Sequence, residues 1–276
     1  MYAILLQDYS VLPMPFLDYF ILSGIGFLGL SIGSFLNSWM WRVRESPPAG
    51  GWGVRSKCVS CRRELSWYEN IPLVSYVFLR GRCRTCHAVI PLDYFIVELV
   101  VPALFLGFTF YHLNLPAFNP WHFFRDIFFG IILIIIFVYD LKYMTILSGV
   151  VWAGAVGGFI INYFFLHQSL LSLLIGAAVG GGFFLAQFLV SKGRWIGGGD
   201  VRMGVMMGLF LGFPTILVAL FVAYIAGSAV AIPLLFLRKK TGQSAIPFGT
   251  FLAVGTFVAL LWGDQIVGWY SGLIGA

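Results

Sequence analysis

Two aspartates lie at the margins of long apolar segments, and they are the first residues whose type and position could support chemistry. Asp140 ends an apolar run that begins at Gly130, and Asp200 directly follows a run of glycines. A carboxylate at membrane depth costs about 2.5–3.5 kcal/mol on insertion scales, so it usually has a partner or a function. Two carboxylates held close together cannot both ionise, so one remains an acid while the other is a base. We therefore predict that Asp140 and Asp200 form a pair capable of acid–base hydrolysis.

Each aspartate also has a structural interpretation, which the sequence leaves open. Asp140 could pair with Lys142 at a helix end, and Asp200 could cap the first turn of a helix, where a carboxylate complements the helix dipole. The glycines before Asp200 are Gly197, Gly198 and Gly199. Consecutive glycines form helices poorly and let another backbone approach closely, so an extended substrate peptide could lie there. The glycine run thus favours the functional interpretation of Asp200.

Four cysteines make a second group with chemical potential. They are arranged as two CxxC motifs, Cys58 with Cys61 and Cys83 with Cys86, separated by 21 residues. Paired motifs of this kind supply four thiolates to one tetrahedral zinc ion, and the reducing cytoplasm disfavours disulfides. Four sulfur ligands leave no open coordination position, so we predict a structural zinc site. Metal binding would supply folding free energy to a segment with little core of its own.

The composition identifies the elements that must position these groups. Of the 276 residues, 60% are hydrophobic and 10% are charged, against about 25% charged residues in soluble domains. We predict an all-α polytopic integral membrane protein with about eight transmembrane helices. The apolar segments lie near 17–40, 93–112, 122–140, 147–166, 170–190, 202–213, 214–237 and 248–271. The sixth segment is short and precedes Pro214, so we expect a broken or partly inserted helix.

Basic residues predict the orientation in the membrane. Nine of the 17 Lys and Arg residues lie in the polar insert at 42–92, and all others except Arg125 fall in alternate connections between spans. The positive-inside rule then places the insert in the cytoplasm and both termini outside. Asp140 and Asp200 would lie on the same cytoplasmic face as the insert. Because the basic residues are confined to short loops, the net charge of +6 does not indicate a nucleic-acid partner.

Several motifs occur in an order that resembles one family, the bacterial type IV prepilin leader peptidases. The motifs are GSFLN at 33–37, the paired CxxC motifs, NIPLVSYVFLRGRC at 70–83, YFIVEL at 94–99, Asp140, GGGD at 197–200 and IPFGTFLAVG at 246–255. The resemblance covers about residues 30–260. It implies a membrane aspartic protease of the GxGD class, with Asp140 and Asp200 as its catalytic residues.

The resemblance also implies a substrate and a second activity. Members of the family remove short basic leader peptides from type IV prepilins and type II secretion pseudopilins on the cytoplasmic side of the bacterial inner membrane. Many also methylate the new N-terminal residue, with S-adenosylmethionine as donor, and the cysteine-bearing insert accompanies that activity. The implied divisions are a first span at 1–41, the insert at 42–92 and a peptidase bundle at 93–276.

The methyltransferase activity depends on fewer recognisable residues. Gly81 precedes a position that the family links with methyl transfer, and Arg82 replaces the common lysine there. Arginine keeps the charge but not the compact ammonium. Glu98 could orient substrate or donor, or it could pair with a nearby arginine. Two alternatives therefore stay open: a peptidase without methyltransferase activity, and a non-enzymatic transporter or assembly factor that uses its intramembrane acids.

Overall fold

The computed structural model of the chain describes residues 16–45, 55–115, 117–236 and 246–274. In these ranges the regular structure is helical, apart from two isolated β-bridges in the polar insert. The predicted fold class is confirmed, because long apolar segments satisfy their backbone hydrogen bonds internally by forming helices.

Nine α-helices are present in the described part of the chain. They are α1 (Phe16–Glu45), α2 (Val74–Phe78), α3 (Leu92–Leu113), α4 (Pro120–Tyr143), α5 (Ser148–Ile160), α6 (Leu170–Ser191), α7 (Gly198–Leu211), α8 (Thr215–Phe236) and α9 (Phe248–Ile274). A π-helical turn at Ile161–Phe165 continues α5, and a 3₁₀ turn at Trp67–Asn70 precedes α2. All of these helices except α2 coincide with the eight predicted spans.

Six of these helices are long and apolar enough to cross a membrane, namely α1, α3, α5 with its π-helical turn, α6, α8 and α9. The chain is therefore a multi-pass membrane protein. The other two predicted spans differ from this group: α4 carries charged residues near both ends, and α7 has only 14 residues. At 1.5 Å per residue, α7 is about 21 Å long, in agreement with a short sixth segment.

The first compact unit of the chain contains α1, the insert and α3. Glycines on α1 allow α3 to approach closely: a Cβ on Gly29 would lie 2.6 Å from Pro102 Cα, and one on Gly33 would lie 3.1 Å from Glu98 Cα. Any larger side chain at these positions would push the helices apart. This contact places the start of α3 beside the last turns of α1.

The second compact unit contains α4 to α9, and α7 is its most enclosed helix. The backbones of α6 and α7 touch, since a Cβ on Gly180 would lie 2.3 Å from Gly204 O, and one on Gly208 would lie 2.2 Å from Gly176 C. Small residues permit such close helix packing in membranes. Asn162 of the π-helical turn donates hydrogen bonds to the carbonyls of two residues in the last turn of α7, 2.8 Å each. These contacts hold both α7 and the aspartate in its first turn.

Candidate active site and metal centre

Asp140 lies in the last turn of α4 and is buried, with 4% of its surface exposed. Its Oδ2 atom accepts a hydrogen bond of 3.1 Å from the backbone N–H of Thr250, in the first turn of α9. The first N–H groups of a helix have no partner within the helix and carry partial positive charge. The N-terminus of α9 therefore stabilises and orients this carboxylate.

Gly249, next to Thr250, leaves room for the Asp140 carboxylate. A Cβ at this position would lie 2.9 Å from Asp140 Oδ2 and 3.0 Å from Ile146 Cδ1. Sequence reasoning used this segment only as part of a family resemblance and did not assign it a role. Its available signal was a Pro-Phe-Gly sequence at 247–249 directly before an apolar run, which marks a helix N-terminus.

Asp200 is the third residue of α7, and it is also buried. Its Oδ2 atom accepts a hydrogen bond of 2.9 Å from the backbone N–H of Gly197, the residue that caps the helix. The carboxylate of Asp200 therefore caps its own helix, as the structural interpretation of this residue predicted. Capping and catalysis are compatible, since one oxygen of a carboxylate can be held by the backbone while the other faces a substrate.

The two aspartates lie in the same part of the second unit. They are close enough to interact electrostatically. The side chain of Ile146 lies beside Gly199, which precedes Asp200, and beside Gly249, which lies against the Asp140 carboxylate. Ile146 Cβ would be 3.1 Å from a Cβ on Gly199, and its Cδ1 would be 3.0 Å from a Cβ on Gly249. The structure thus brings together the two residues that the sequence predicts as a pair.

The three glycines before Asp200 differ in their surroundings. A Cβ on Gly197 or Gly198 would meet no atom closer than 3.6 Å, whereas Gly199 packs against Ile146. Space for a second backbone is therefore present at the first two glycines and is filled at the third. The prediction of a substrate-approach segment is thereby narrowed to Gly197 and Gly198.

Polar side chains of neighbouring helices surround this part of the molecule. Tyr224 donates a hydrogen bond of 3.0 Å to Gln187 Oε1, and its ring contacts Phe248 at the start of α9. Tyr224 also interacts electrostatically with Asp200. Sequence reasoning missed Tyr224, since a single tyrosine in an apolar run has no distinguishing pattern. The guanidinium of Arg202 donates to the hydroxyl of Ser148 and so links α7 to α5.

The four cysteines converge in the insert as the spacing predicts. Their sulfur atoms all lie within 4.8 Å of one another, and the Sγ atoms of Cys58 and Cys86 are 3.8 Å apart. Each CxxC motif forms a tight turn between the two residues of an isolated β-bridge. The residue after each motif, Arg62 or His87, has positive φ and turns the chain back. This group can hold one metal ion.

The thiol groups in the insert differ in their electrostatic surroundings. Hydrogen bonds from the backbone amides of Cys86 and Thr85 lower the pKa of Cys83 to about 6. Burial raises the pKa of Cys58 to about 11. The thiolate is the form that binds metal. Cys58 and Cys83 also affect each other through a side-chain hydrogen bond, so the two thiols titrate as a pair, and a bound cation would favour the ionised form of both.

The three residues that sequence reasoning associated with methyl transfer occupy two places. Gly81 has a φ of +66°, and Arg82 forms a β-bridge with Val89 at the second CxxC turn. Glu98 lies on α3 and accepts a hydrogen bond of 2.8 Å from the backbone N–H of Leu73. Glu98 lines a cavity of about 120 Å³, whereas Gly81 and Arg82 are not among the described residues that line it.

Comparison with protein-family models finds two matches that together cover most of the chain. Residues 27–112 match a family described as the bacterial peptidase A24 N-terminal domain. Residues 127–232 match the type IV leader peptidase family. The boundary between the matches falls near the division between the two compact units.

Comparison with curated proteins finds relatives with one shared description, "prepilin leader peptidase/N-methyltransferase". The protein of Pseudomonas aeruginosa is 30% identical, over 93% of this chain and 98% of its own length. That of Stutzerimonas stutzeri is 30% identical over 88% and 91%, respectively. That of Aeromonas hydrophila is 28% identical over 82% and 78%. No solved structure gives a significant match.

Proposed function

This chain belongs to the type IV prepilin leader peptidase/N-methyltransferase family, and we propose that it cleaves prepilin leaders with Asp140 and Asp200. Substrates are type IV prepilins or type II secretion pseudopilins, and the new N-terminal residue is then methylated. The observation that carries the proposal is the approach of two buried carboxylates, each with one oxygen bound by a helix N-terminal amide.

The arrangement supports a general acid–base mechanism. One carboxylate, ionised, takes a proton from a water that attacks the scissile carbonyl, and the other, protonated, donates toward the carbonyl oxygen. The amides of Gly197 and Thr250 hold one oxygen of each aspartate in place. The remaining oxygens are available to water and substrate. The open space at Gly197 and Gly198 suits the backbone of an extended leader peptide.

The ion that best suits the four cysteines is Zn²⁺. Four thiolates at about 2.3 Å around a tetrahedral ion lie about 3.8 Å from one another. The Sγ atoms of Cys58 and Cys86 are 3.8 Å apart, and all four sulfurs lie within 4.8 Å of one another. An all-cysteine shell leaves no position for a reacting water. Zinc in Cys58, Cys61, Cys83 and Cys86 therefore holds the insert folded and takes no part in peptide hydrolysis.

Methylation requires a donor, and S-adenosylmethionine supplies an electrophilic methyl group on its sulfonium. The chain's part is to bind the donor and to present the N-terminal amine in its neutral form. Glu98 in the first unit is a candidate for contact with donor or amine, whereas Gly81 and Arg82 shape the turn that carries Cys83.

The proposed location is the bacterial inner membrane, with the active site and the insert facing the cytoplasm. Among the basic residues that support this orientation, Arg238, Lys239 and Lys240 lie outside the described residues. The partners are then prepilin or pseudopilin substrates and membrane lipid, with no nucleic acid.

The decisive experiment replaces each aspartate separately and measures cleavage of a prepilin in membranes. Asp140→Asn and Asp200→Asn should each reduce the rate by about 10²–10⁴-fold, since each removes a proton-transfer group. Asp264→Asn is the matched control: Asp264 lies on α9 outside the pair and accepts a hydrogen bond from Thr215 that an asparagine also accepts. Full cleavage by either site variant would exclude this mechanism. Absence of cleavage by the unsubstituted protein would favour a non-enzymatic transporter or assembly factor. Mass spectrometry of the mature pilin N-terminus separates a bifunctional enzyme from a peptidase alone.

A further inference from the structure

A cavity of about 120 Å³ lies within the first unit, lined by residues of α1, α2, the start of α3 and the turns that carry the cysteines. That volume holds about ten water molecules, equivalent to about 300 Å³ of liquid, which is the lower end of the range for small-molecule sites. The cavity is therefore too large for a single ion and suits an organic ligand.

The cavity contains an acceptor without a donor. Asn37 is 3% exposed and lines the cavity. Its Nδ2 atom donates to Tyr94 O at 2.8 Å, which fixes the orientation of the amide. Its Oδ1 atom is buried and accepts no hydrogen bond from the described residues. Leaving a buried acceptor unsatisfied costs about as much as a hydrogen bond contributes, so a ligand with an N–H or O–H donor would be favoured.

The cavity also contains a carboxylate without a cation. Glu98 accepts hydrogen bonds from Leu73 N and from the Ser34 hydroxyl, but no ion pair joins it to any residue in the described ranges. The other acid that lines the cavity, Glu69, is already neutralised by Arg63 through two hydrogen bonds of 2.7 and 3.0 Å. Three basic residues, Arg42, Lys57 and Arg84, also line the cavity. Its charges therefore suit a zwitterionic ligand whose positive group lies near Glu98 and whose negative group lies near the basic side chains.

The remaining walls are largely apolar and include aromatic rings. Trp41 on α1, Tyr76 on α2 and Tyr94 on α3 line the cavity. Aromatic faces bind flat heterocycles by stacking and attract cations through their quadrupole. A ligand with a flat ring, N–H donors and a positive charge satisfies all three features of the cavity together.

We propose that this cavity is the binding site for the methyl donor, S-adenosylmethionine, with Asn37 Oδ1 accepting from the donor's N–H groups and Glu98 attracting its positive charge. The inference rests on the proposed methyltransferase function and names the site that serves it. The donor has a purine ring with an amino group, an ammonium, a sulfonium and a carboxylate. It therefore matches the cavity in ring and hydrogen-bond donors, with positive groups for Glu98 and a carboxylate for the basic lining residues.

The test measures binding of S-adenosylmethionine to the purified full-length protein by equilibrium dialysis, independently of turnover. Glu98→Gln keeps the acceptor for Leu73 N–H but removes the charge, and it should weaken binding about tenfold. Its effect on S-adenosylhomocysteine, which lacks the sulfonium charge, should be smaller. Asn37→Leu removes the unsatisfied acceptor and should also weaken binding about tenfold. Glu64→Gln is the matched control, since Glu64 is an exposed acid of the insert outside the cavity.

A second measurement locates the ligand in case Asn37→Leu disturbs the fold. Ultraviolet cross-linking of the radiolabelled donor to the unsubstituted protein should label peptides that contain Trp41, Tyr76 or Tyr94. Two results would overturn the site assignment in a protein that still methylates. One is labelling confined to other peptides, such as those of the second unit. The other is wild-type affinity in both cavity variants. Failure of the unsubstituted protein to methylate a cleaved prepilin would instead refute the proposed function.

Discussion

At the scale of single residues, the candidate active site depends on backbone amides as much as on the aspartates. Asp140 is bound by Thr250 N at the N-terminus of α9, and Asp200 by Gly197 N at the N-terminus of α7. Both amides come from helix ends, where a donor is available without disrupting the helix. The position of each carboxylate is therefore determined by where a helix begins.

Gly249 provides a test of this positioning. Gly249→Ala would place a Cβ 2.9 Å from Asp140 Oδ2 and 3.0 Å from Ile146 Cδ1, so the carboxylate must shift. We expect the cleavage rate to fall by about 10–100-fold, because small displacements of a catalytic group are costly. Gly268→Ala on the same helix, where a Cβ would meet nothing within 4 Å, should cleave at the normal rate. Equal rates for the two variants in a prepilin assay would show that α9 does not position Asp140.

The ion pair between Glu69 and Arg63 makes the insert sensitive to acid. Hydrogen bonds donated by Arg63 hold the pKa of Glu69 below the ordinary value of a glutamate, which is about 4.3. A carboxyl with a lowered pKa contributes stability above its ordinary pKa and loses it as the pH falls through the lowered value. Zinc release should therefore begin at higher pH in Glu69→Gln than in the unsubstituted protein. Exposed Glu64→Gln serves as control, and identical release curves for all three proteins would contradict the argument.

At the scale of elements, α7 is held in place by backbone contact with α6. No side chain intervenes between Gly180 and Gly204 or between Gly176 and Gly208. The two backbones are in close van der Waals contact. An added side-chain atom would clash, because backbone cannot move aside as a flexible side chain can. The glycines of α6 and α7 are thus required for packing, apart from any role of the three glycines before Asp200.

Gly208→Ala tests the contact between these two helices. The added Cβ would lie 2.2 Å from Gly176 C and 2.3 Å from Ala177 N, so the helices must separate. Overpacking of this kind destabilises by about 1–3 kcal/mol, and we expect a lower midpoint of thermal unfolding in detergent with less folded protein. Gly182→Ala on α6 adds a Cβ in open space and should unfold at the normal temperature. A normal midpoint for Gly208→Ala would show that the helix contact is looser than in this structure.

At the scale of the whole molecule, the two proposed activities are carried by residues of different compact units. The cysteines, Glu98 and the cavity belong to the first unit, and both aspartates belong to the second. Family models match the chain in the same two parts. The division of the chain into a first span, an insert and a peptidase bundle stays a prediction, although α3 packs with α1 in the first unit.

Removal of zinc should separate the two activities. The insert contains only one short helix, a 3₁₀ turn and two β-bridges among its described residues, so the metal supplies much of its folding free energy. Treatment with a chelator, or Cys83→Ser, should abolish methylation of the mature pilin while leaving leader cleavage measurable. Immediate and complete loss of cleavage in a protein that retains its helices would assign the metal a different role. Zinc content and both activities are measured on the same preparation.

The sequence by itself determined the fold class, the positions of the helices and the grouping of the four cysteines. Long apolar segments can only be helical in a membrane, and CxxC spacing brings two thiolates together within a single turn. Each helix, and each CxxC pair, depends on residues that are close together in the chain. The carboxylates of Asp140 and Asp200 were identified in the same way, by their cost within an apolar segment.

Only the tertiary structure decided what surrounds those residues. Thr250 is 110 positions from Asp140, and their hydrogen bond exists because α4 and α9 pack together. Other contacts likewise depend on which helices pack together. Examples are Ile146 against Gly199, Tyr224 near Asp200, and the unsatisfied oxygen of Asn37. Periodicity and motif spacing describe the local chain, whereas these contacts follow from long-range packing, to which residues far apart in the sequence contribute together.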